Sequence, residues 1–306
     1  MTVIDRLEDW CRAGMPSTPE RIAWAKAYIA DESLAALTGN YIPSEPQPPR
    51  KPLTLSSHVY CPRQLWFKVN GRAEEDMGPR TYNTFFVGRT VEKSVVARCI
   101  LAGLPVLSPV WGGARQRRVY MDLGAAEPYG GSLDLAFAAD LKAKIDGPEA
   151  QAAYWDSKAP VILADCKSRN DNGFREAVGE RRIGNDYGYE DQLGAYAMAC
   201  EAEGRRVTEL LFLLQMRSQG EEAEVDCPRP PGLEAEFRAS FAAATGSVLP
   251  DRPSWAILRR VNSPSGPVDR IDNRRCGYCP TKFSCYDGLE RKIVSKKVEH
   301  QIPVRS

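Results

Sequence analysis

The chain has 306 residues, 43% of them hydrophobic, which is enough to bury one large core or two modest ones without crosslinks. Its 41 Lys and Arg nearly balance 40 Asp and Glu, so a formal charge of +1 gives no overall pull toward nucleic acid or an anionic membrane. A basic footprint would have to be local. Arg115, Arg117 and Arg118, then Arg181 and Arg182, then Arg274 and Arg275 are the candidate clusters, each equally readable as an ordinary solvated face.

The first residues, MTVIDRLEDWCRAG, carry charges where a secretory signal needs an apolar run, and the nine cysteines are an odd count. A reducing, cytoplasmic setting is expected, in which clustered cysteines are metal ligands or catalysts and not disulfides. The most apolar run, LLFLLQM at 210–216, is far shorter than the roughly 20 residues that span a bilayer, so no membrane partner is expected.

In chain order, residues 1–38 have helical apolar spacing, and YIPSEPQPPRKP is too proline-rich for helix or strand. Residues 1–50 thus form an N-terminal helical appendage and linker, and 51–306 the main domain. A second helix opens at Ser56 or Ser57, with Pro62 either in its first turn or breaking it. A longer helix covers about 81–102. Strands follow at 117–123, 130–138 and 160–168, with 139–159 an excursion between the last two. A helix at 188–203, a buried strand at 208–216, a helix at 232–245 and a cysteine-rich end complete the chain. There is no Gly-x4-Gly-Lys-Ser/Thr loop, so the chain should not drive a motor with ATP by itself.

The chemistry concentrates on two strands. In ILADCKS, Asp165 and Lys167 are two apart and share a face, while Cys166 points the other way. An acid and an amine are thus placed side by side at the end of an apolar strand, although a solvated salt bridge is the plainer alternative. In GGSLDLAF, Asp134 lies between leucines of the opposite face. If the strands are neighbours, Asp134 and Asp165 can converge on one hard cation, Mg²⁺ or Mn²⁺, which polarises a phosphodiester and lowers the pKa of a bound water. Lys167 could orient that water or offset charge developing on phosphorus. Glu92 can add a third carboxylate, with Gly88 four residues earlier permitting close approach. Gln192 and Tyr196, also four apart on a helix, can contact a nucleic-acid strand or buttress the site.

The succession Gly88-x3-Glu92, Gly131-x2-Asp134, Asp165-x-Lys167, Gln192-x3-Tyr196 resembles the PD-(D/E)XK nuclease core of the RecB type. The family often has His where this chain has Glu92, and some members have Glu in place of Asp165. The resemblance implies an α/β, restriction-endonuclease-like core with a central mixed sheet flanked by helices. It also implies that Glu92, Asp134, Asp165 and the Cys166 carbonyl are metal ligands, that Lys167 is catalytic, and that Gln192 and Tyr196 belong to the RecB-type extension.

One Cys-Pro-Arg at Cys61 ahead of these motifs, and Cys276-x2-Cys279-x5-Cys285 after them, resemble the iron-sulfur nucleases of the Cas-four and AddB kind. That implies a [4Fe-4S] cluster on Cys61, Cys276, Cys279 and Cys285, tying helical N- and C-terminal segments together and setting Arg63, Arg274 and Arg275 along a DNA strand. Four cysteines also suit tetrahedral Zn²⁺. Cys99, Cys166 and Cys200 are more simply core or surface residues. The expected activity is Mg²⁺- or Mn²⁺-dependent hydrolysis of DNA, as an exonuclease on single strands or ends, in recombination, repair or CRISPR adaptation, with helicase or integration and recombination proteins as possible partners. The competing reading is a catalytically silent DNA-binding or adaptor subunit.

Overall fold

The computed structural model describes residues 2–38, 53–56, 61–71, 79–113, 115–124, 128–183, 188–253, 258–263, 266–271, 279, 282–286, 290–294 and 297–303. In chain order the elements are α1 (Val3–Arg12), α2 (Pro19–Thr38), α3 (Pro62–Val69), α4 (Pro79–Leu101), β1 (Val106–Ser108), β2 (Arg117–Met121), β3 (Tyr129–Leu133), β4 (Leu135–Ala138), α5 (Pro148–Asp156), β5 (Val161–Arg169), α6 (Asp171–Glu180), α7 (Tyr189–Ala202), β6 (Val207–Met216), β7 (Glu222–Asp226) and α8 (Leu233–Thr245). Beyond these come β8 (Leu258–Ser263), β9 (Gly266–Ile271), a single helical turn α9 (Lys282–Cys285), β10 (Glu290–Val294) and β11 (Lys297–Pro303).

Five strands form a mixed sheet in the order β1-β4-β5-β6-β7. Strands β5 and β6 run parallel and the remaining neighbours antiparallel. The first six residues of β5, VILADC, are all buried, as a central strand covered on both faces must be. Alternation then feeds two cores. Val161 and Leu163 join Phe212 and Leu214 of β6 on one face, beneath Leu193 of α7, Phe237 and Phe241 of α8 and Leu65 of α3. Ile162, Ala164 and Cys166 join Leu211 and Leu213 on the other, beneath Val3, Leu7, Trp24, Tyr28, Val95 and Ile100 of α1, α2 and α4. The result is the expected α/β arrangement of a mixed sheet between helical layers.

The two N-terminal helices, read from the sequence as an appendage, therefore pack directly on this second core. Helix α1 starts with a capping box, Thr2 and Asp5 each accepting the other's backbone N–H. Arg21 of α2 is 5% exposed and donates to the carbonyls of Ile100, Leu104 and Ile145 and to Asp146 Oδ1, which fastens α2 to the end of α4. Helix α3 begins at Pro62, not at Ser56 or Ser57. Cys61 is its N-cap, and Pro62 takes the first-turn position where a missing N–H costs nothing.

The strand expected at 130–138 is two strands broken at Asp134. Strand β3 pairs with β2 in a separate two-stranded ribbon, and β4 pairs with β1 and β5, so Asp134 stands where the chain changes partners. Strands β1 and β7 and helix α6 are additions to the sequence reading, too short or too polar for its periodicity to show. The larger difference is at the end of the chain. In place of helical C-terminal segments, β8–β11 form a four-stranded antiparallel sheet in the order β10-β11-β9-β8. IVSKKVEHQIPV has no period-two alternation, its apolar residues being separated by the polar runs SKK and EHQ, so hydrophobic patterning does not announce these strands.

Candidate active site

Antiparallel pairing sets Leu135 of β4 opposite Ala164 of β5 and Ala136 opposite Leu163. Continued by one residue, the same register sets Asp134 opposite Asp165. Both aspartates lie at the end of the sheet where β4 begins and β5 leaves the core. Asp165 follows Val161 and Leu163 on the face toward α7 and is 4% exposed. Its carboxylate is buried there because Lys167, two residues on, bends back onto it: Nζ lies 2.6 Å from Asp165 Oδ2. This buried oxygen has the Lys167 ammonium as its partner and no other described donor.

Burial disfavours the Lys167 ammonium, but the Asp165 carboxylate, helped by Asp134 and Tyr189, outweighs it and holds the amine above the ordinary lysine range. The two carboxylates thus favour the protonated amine. Cys166 points to the opposite face, into the core under α4. Burial first, then the Glu92 carboxylate, ahead of Asp165 and Asp134, push its thiol well above the usual value. Glu92 is thus close enough for its charge to be felt at the base of the site. Among the described residues no three His, Cys, Asp or Glu side chains form a group that could hold a metal ion. No described atom lies within 4 Å of where a Gly88 Cβ would stand, so the close approach expected at that glycine is not found.

Gly131 has the opposite environment. A Cβ there would meet Tyr196 Cε1 at 2.6 Å and Leu55 Cβ at 3.1 Å, so the glycine in the Gly-x2-Asp spacing lets Tyr196 lie against the strand leading into Asp134. Tyr196 is 7% exposed and accepts from Gln192 Nε2 at 3.2 Å. Burial first, then the Asp134 charge, hold its phenol above the ordinary range. Of the two roles open to this pair, its placement fits the buttress.

Two neighbours escaped the sequence reading. Gln116 Nε2 donates to Asp134 Oδ1 at 2.7 Å, and nothing in RQRRVYM singles it out. Tyr189 lies under Lys167, with Nζ 4.6 Å from its ring centre. Its spacing to Gln192 and Tyr196, three and seven residues, is one helical stripe, and that signal was available.

Some of the arginines singled out in the sequence are engaged by the fold. Arg117 donates to the Leu107 carbonyl at 2.7 Å and lies over Trp155 at 4.8 Å. Arg182 grips the buried Glu190 carboxylate at 2.6 and 2.7 Å. Arg63 donates to the Pro250 carbonyl at 2.8 Å. Arg274, Arg275 and Cys276 lie outside the described residues, so the four-cysteine set is not placed as a whole. Of its other members, Cys61 accepts the Gln64 N–H at the start of α3, and Cys279 and Cys285 bracket α9, which packs on α3. Cys99, Cys166 and Cys200 are buried, as core cysteines should be.

Among the described residues no helix is long and apolar enough to cross a membrane. Neither a protein-family model, nor a curated protein, nor a solved structure matches this chain.

Proposed function

We propose that this chain is a Mg²⁺- or Mn²⁺-dependent DNA nuclease with a RecB-type PD-(D/E)XK core, acting on single strands or DNA ends. The observation that supports this best is the facing pair Asp134 and Asp165 with Lys167 folded onto Asp165. Two carboxylates at adjacent strand ends suit a small hard cation, which takes one or two carboxylates and keeps its waters. The residues fit such an ion on a feature of this chain: Asp165 Oδ2 is buried and, beyond the Lys167 ammonium 2.6 Å away, no described donor satisfies it. When bound, a divalent cation there supplies a polarised phosphodiester and a water of lowered pKa.

The protein's own groups then have separate tasks. Asp134 and Asp165 hold the ion, with Gln116 orienting Asp134. Lys167, kept protonated, places a positive charge where negative charge grows on the phosphoryl oxygens. Tyr196 and Gln192 brace the corner at Asp134, and Glu92 adds negative potential from α4. Cys61, Cys276, Cys279 and Cys285 hold a [4Fe-4S] cluster with a structural role. Visible charge-transfer absorption distinguishes that cluster from Zn²⁺ on the same cysteines.

The test is degradation of end-labelled linear single-stranded DNA and closed circular DNA by anaerobically purified protein with Mn²⁺. Cleavage of the linear form alone is expected. Cleavage of both forms keeps the nuclease and removes the requirement for ends. Intact DNA of every form would leave a DNA-binding or adaptor subunit as the better reading.

A further inference from the structure

We infer that Tyr189 is a positioning residue for Lys167, an inference that rests on the nuclease reading above. A lysine side chain has many rotamers, and a single ion pair does not select one. Here Nζ is confined by two contacts of different kinds, Asp165 Oδ2 at 2.6 Å and the Tyr189 ring at 4.6 Å. The ring attracts the ammonium through its quadrupole and offers it no acceptor lone pair. The amine is steadied while its remaining N–H groups stay available to a phosphate.

The ring is itself held. Tyr189 is the first residue of α7, preceded by Gly188 at φ +71°, a backbone conformation that favours glycine. The next residue, Glu190, is 1% exposed and clasped by Arg182 through two hydrogen bonds of 2.6 and 2.7 Å, which fixes the entry into the helix. A second cation, Arg169, lies 5.7 Å from the same ring and is anchored by donation to the Ile183 carbonyl at 3.2 Å. One stripe of α7 therefore serves the site at two levels, with Tyr189 steadying the lysine and Tyr196 backing the strand into Asp134. A cation set in place before substrate arrives needs no reorganisation as charge develops, so its gain falls on the chemical step.

The experiment combines a double-mutant cycle with a kinetic split. Urea unfolding of metal-free wild type, Tyr189→Leu, Lys167→Met and the double variant measures whether the side chains interact, without reference to activity. Coupling of about fivefold in the folding equilibrium constant is expected for a partly desolvated cation over a ring. With single-stranded DNA and Mn²⁺, Tyr189→Leu should lower kcat about tenfold and leave KM within about twofold, and Tyr189→Phe, which keeps the ring face, should recover most of kcat. Additive stabilities, a loss confined to KM, or a Phe variant as impaired as Leu would each overturn the inference. Inactive wild-type protein would overturn the nuclease reading and the catalytic consequence with it, while the unfolding cycle separately decides whether the contact exists.

Discussion

Strand β5 and the C-terminal sheet β8–β11 are both extended chain, but β5 lies inside a mixed sheet with strands on either side while β8–β11 form a separate antiparallel sheet. Strand β5 runs VILADC through the middle of the sheet, and its buried run ends in an acid and an amine on one face. Those two residues contradict their surroundings, and the contradiction marks the site. In the C-terminal sheet, ERKIV and KVEHQIP carry polar runs with no period-two alternation, so no hydrophobic pattern marks those strands. Spacing between the nearby cysteines is compatible with helix, turn or strand and sets no backbone conformation.

The proposed function puts chemistry at the sheet end and structural support in the cysteine region, and mutation can separate them. The largest expected effect is from Asp165→Ala, which should reduce Mn²⁺-dependent cleavage at least about a hundredfold while circular dichroism shows the fold retained. Cys276→Ala should do the reverse in kind, with loss of visible cluster absorption and of folded protein. An unchanged, active Cys276→Ala protein would count against the structural role of the cluster.

A change on the first core face should look like neither. Phe237 is 0% exposed and stacked on Phe241 with ring centres 4.9 Å apart, so Phe237→Ala should cost about 3–5 kcal/mol in urea unfolding. Gly131→Ala sets a methyl group against Tyr196 and Leu55. It should cost about 1–3 kcal/mol and also slow cleavage, because the displaced strand leads into Asp134.

The smallest effect is electrostatic. Glu224 of β7 accepts the Val3 N–H, and burial raises its carboxyl pKa above the ordinary glutamate value. A raised carboxyl pKa in the folded state means that the protonated form is favoured there. The associated stability is fully present below the unfolded pKa and is lost as pH rises through the folded one. Glu224→Gln should therefore give a small gain in thermal stability at neutral pH that shrinks in acid. A gain of equal size at both ends of that range would contradict the sign.

Much of the architecture followed from periodicity: the long helices, the central strands and the facing placement of Asp134 and Asp165. The site was legible where a residue type conflicted with its pattern. It was not where the partner came from elsewhere in the chain. Gln116 reaches Asp134 across the β2–β3 ribbon, next to the Arg117–Leu133 pair, and no local pattern announces it. Gly88 illustrates the converse, since a glycine four residues before a carboxylate suggested close packing and no described neighbour presses on it, whereas Gly131 is pressed by an aromatic ring. A guanidinium carries five donors and readily serves backbone carbonyls, as Arg117 and Arg63 do here, so an arginine-rich stretch in the sequence does not by itself mark a binding face.

The claim on which the rest depends is that Asp134 and Asp165 form one divalent-cation site. Mn²⁺ binding to the purified protein, followed by the electron paramagnetic resonance of the free ion, tests it without needing the right DNA. Wild-type protein should take up Mn²⁺ at a site that Asp134→Asn and Asp165→Asn each weaken severely, with Mg²⁺ competing for it. Equal uptake by the wild type and both variants, or no uptake by the wild type, would contradict the account.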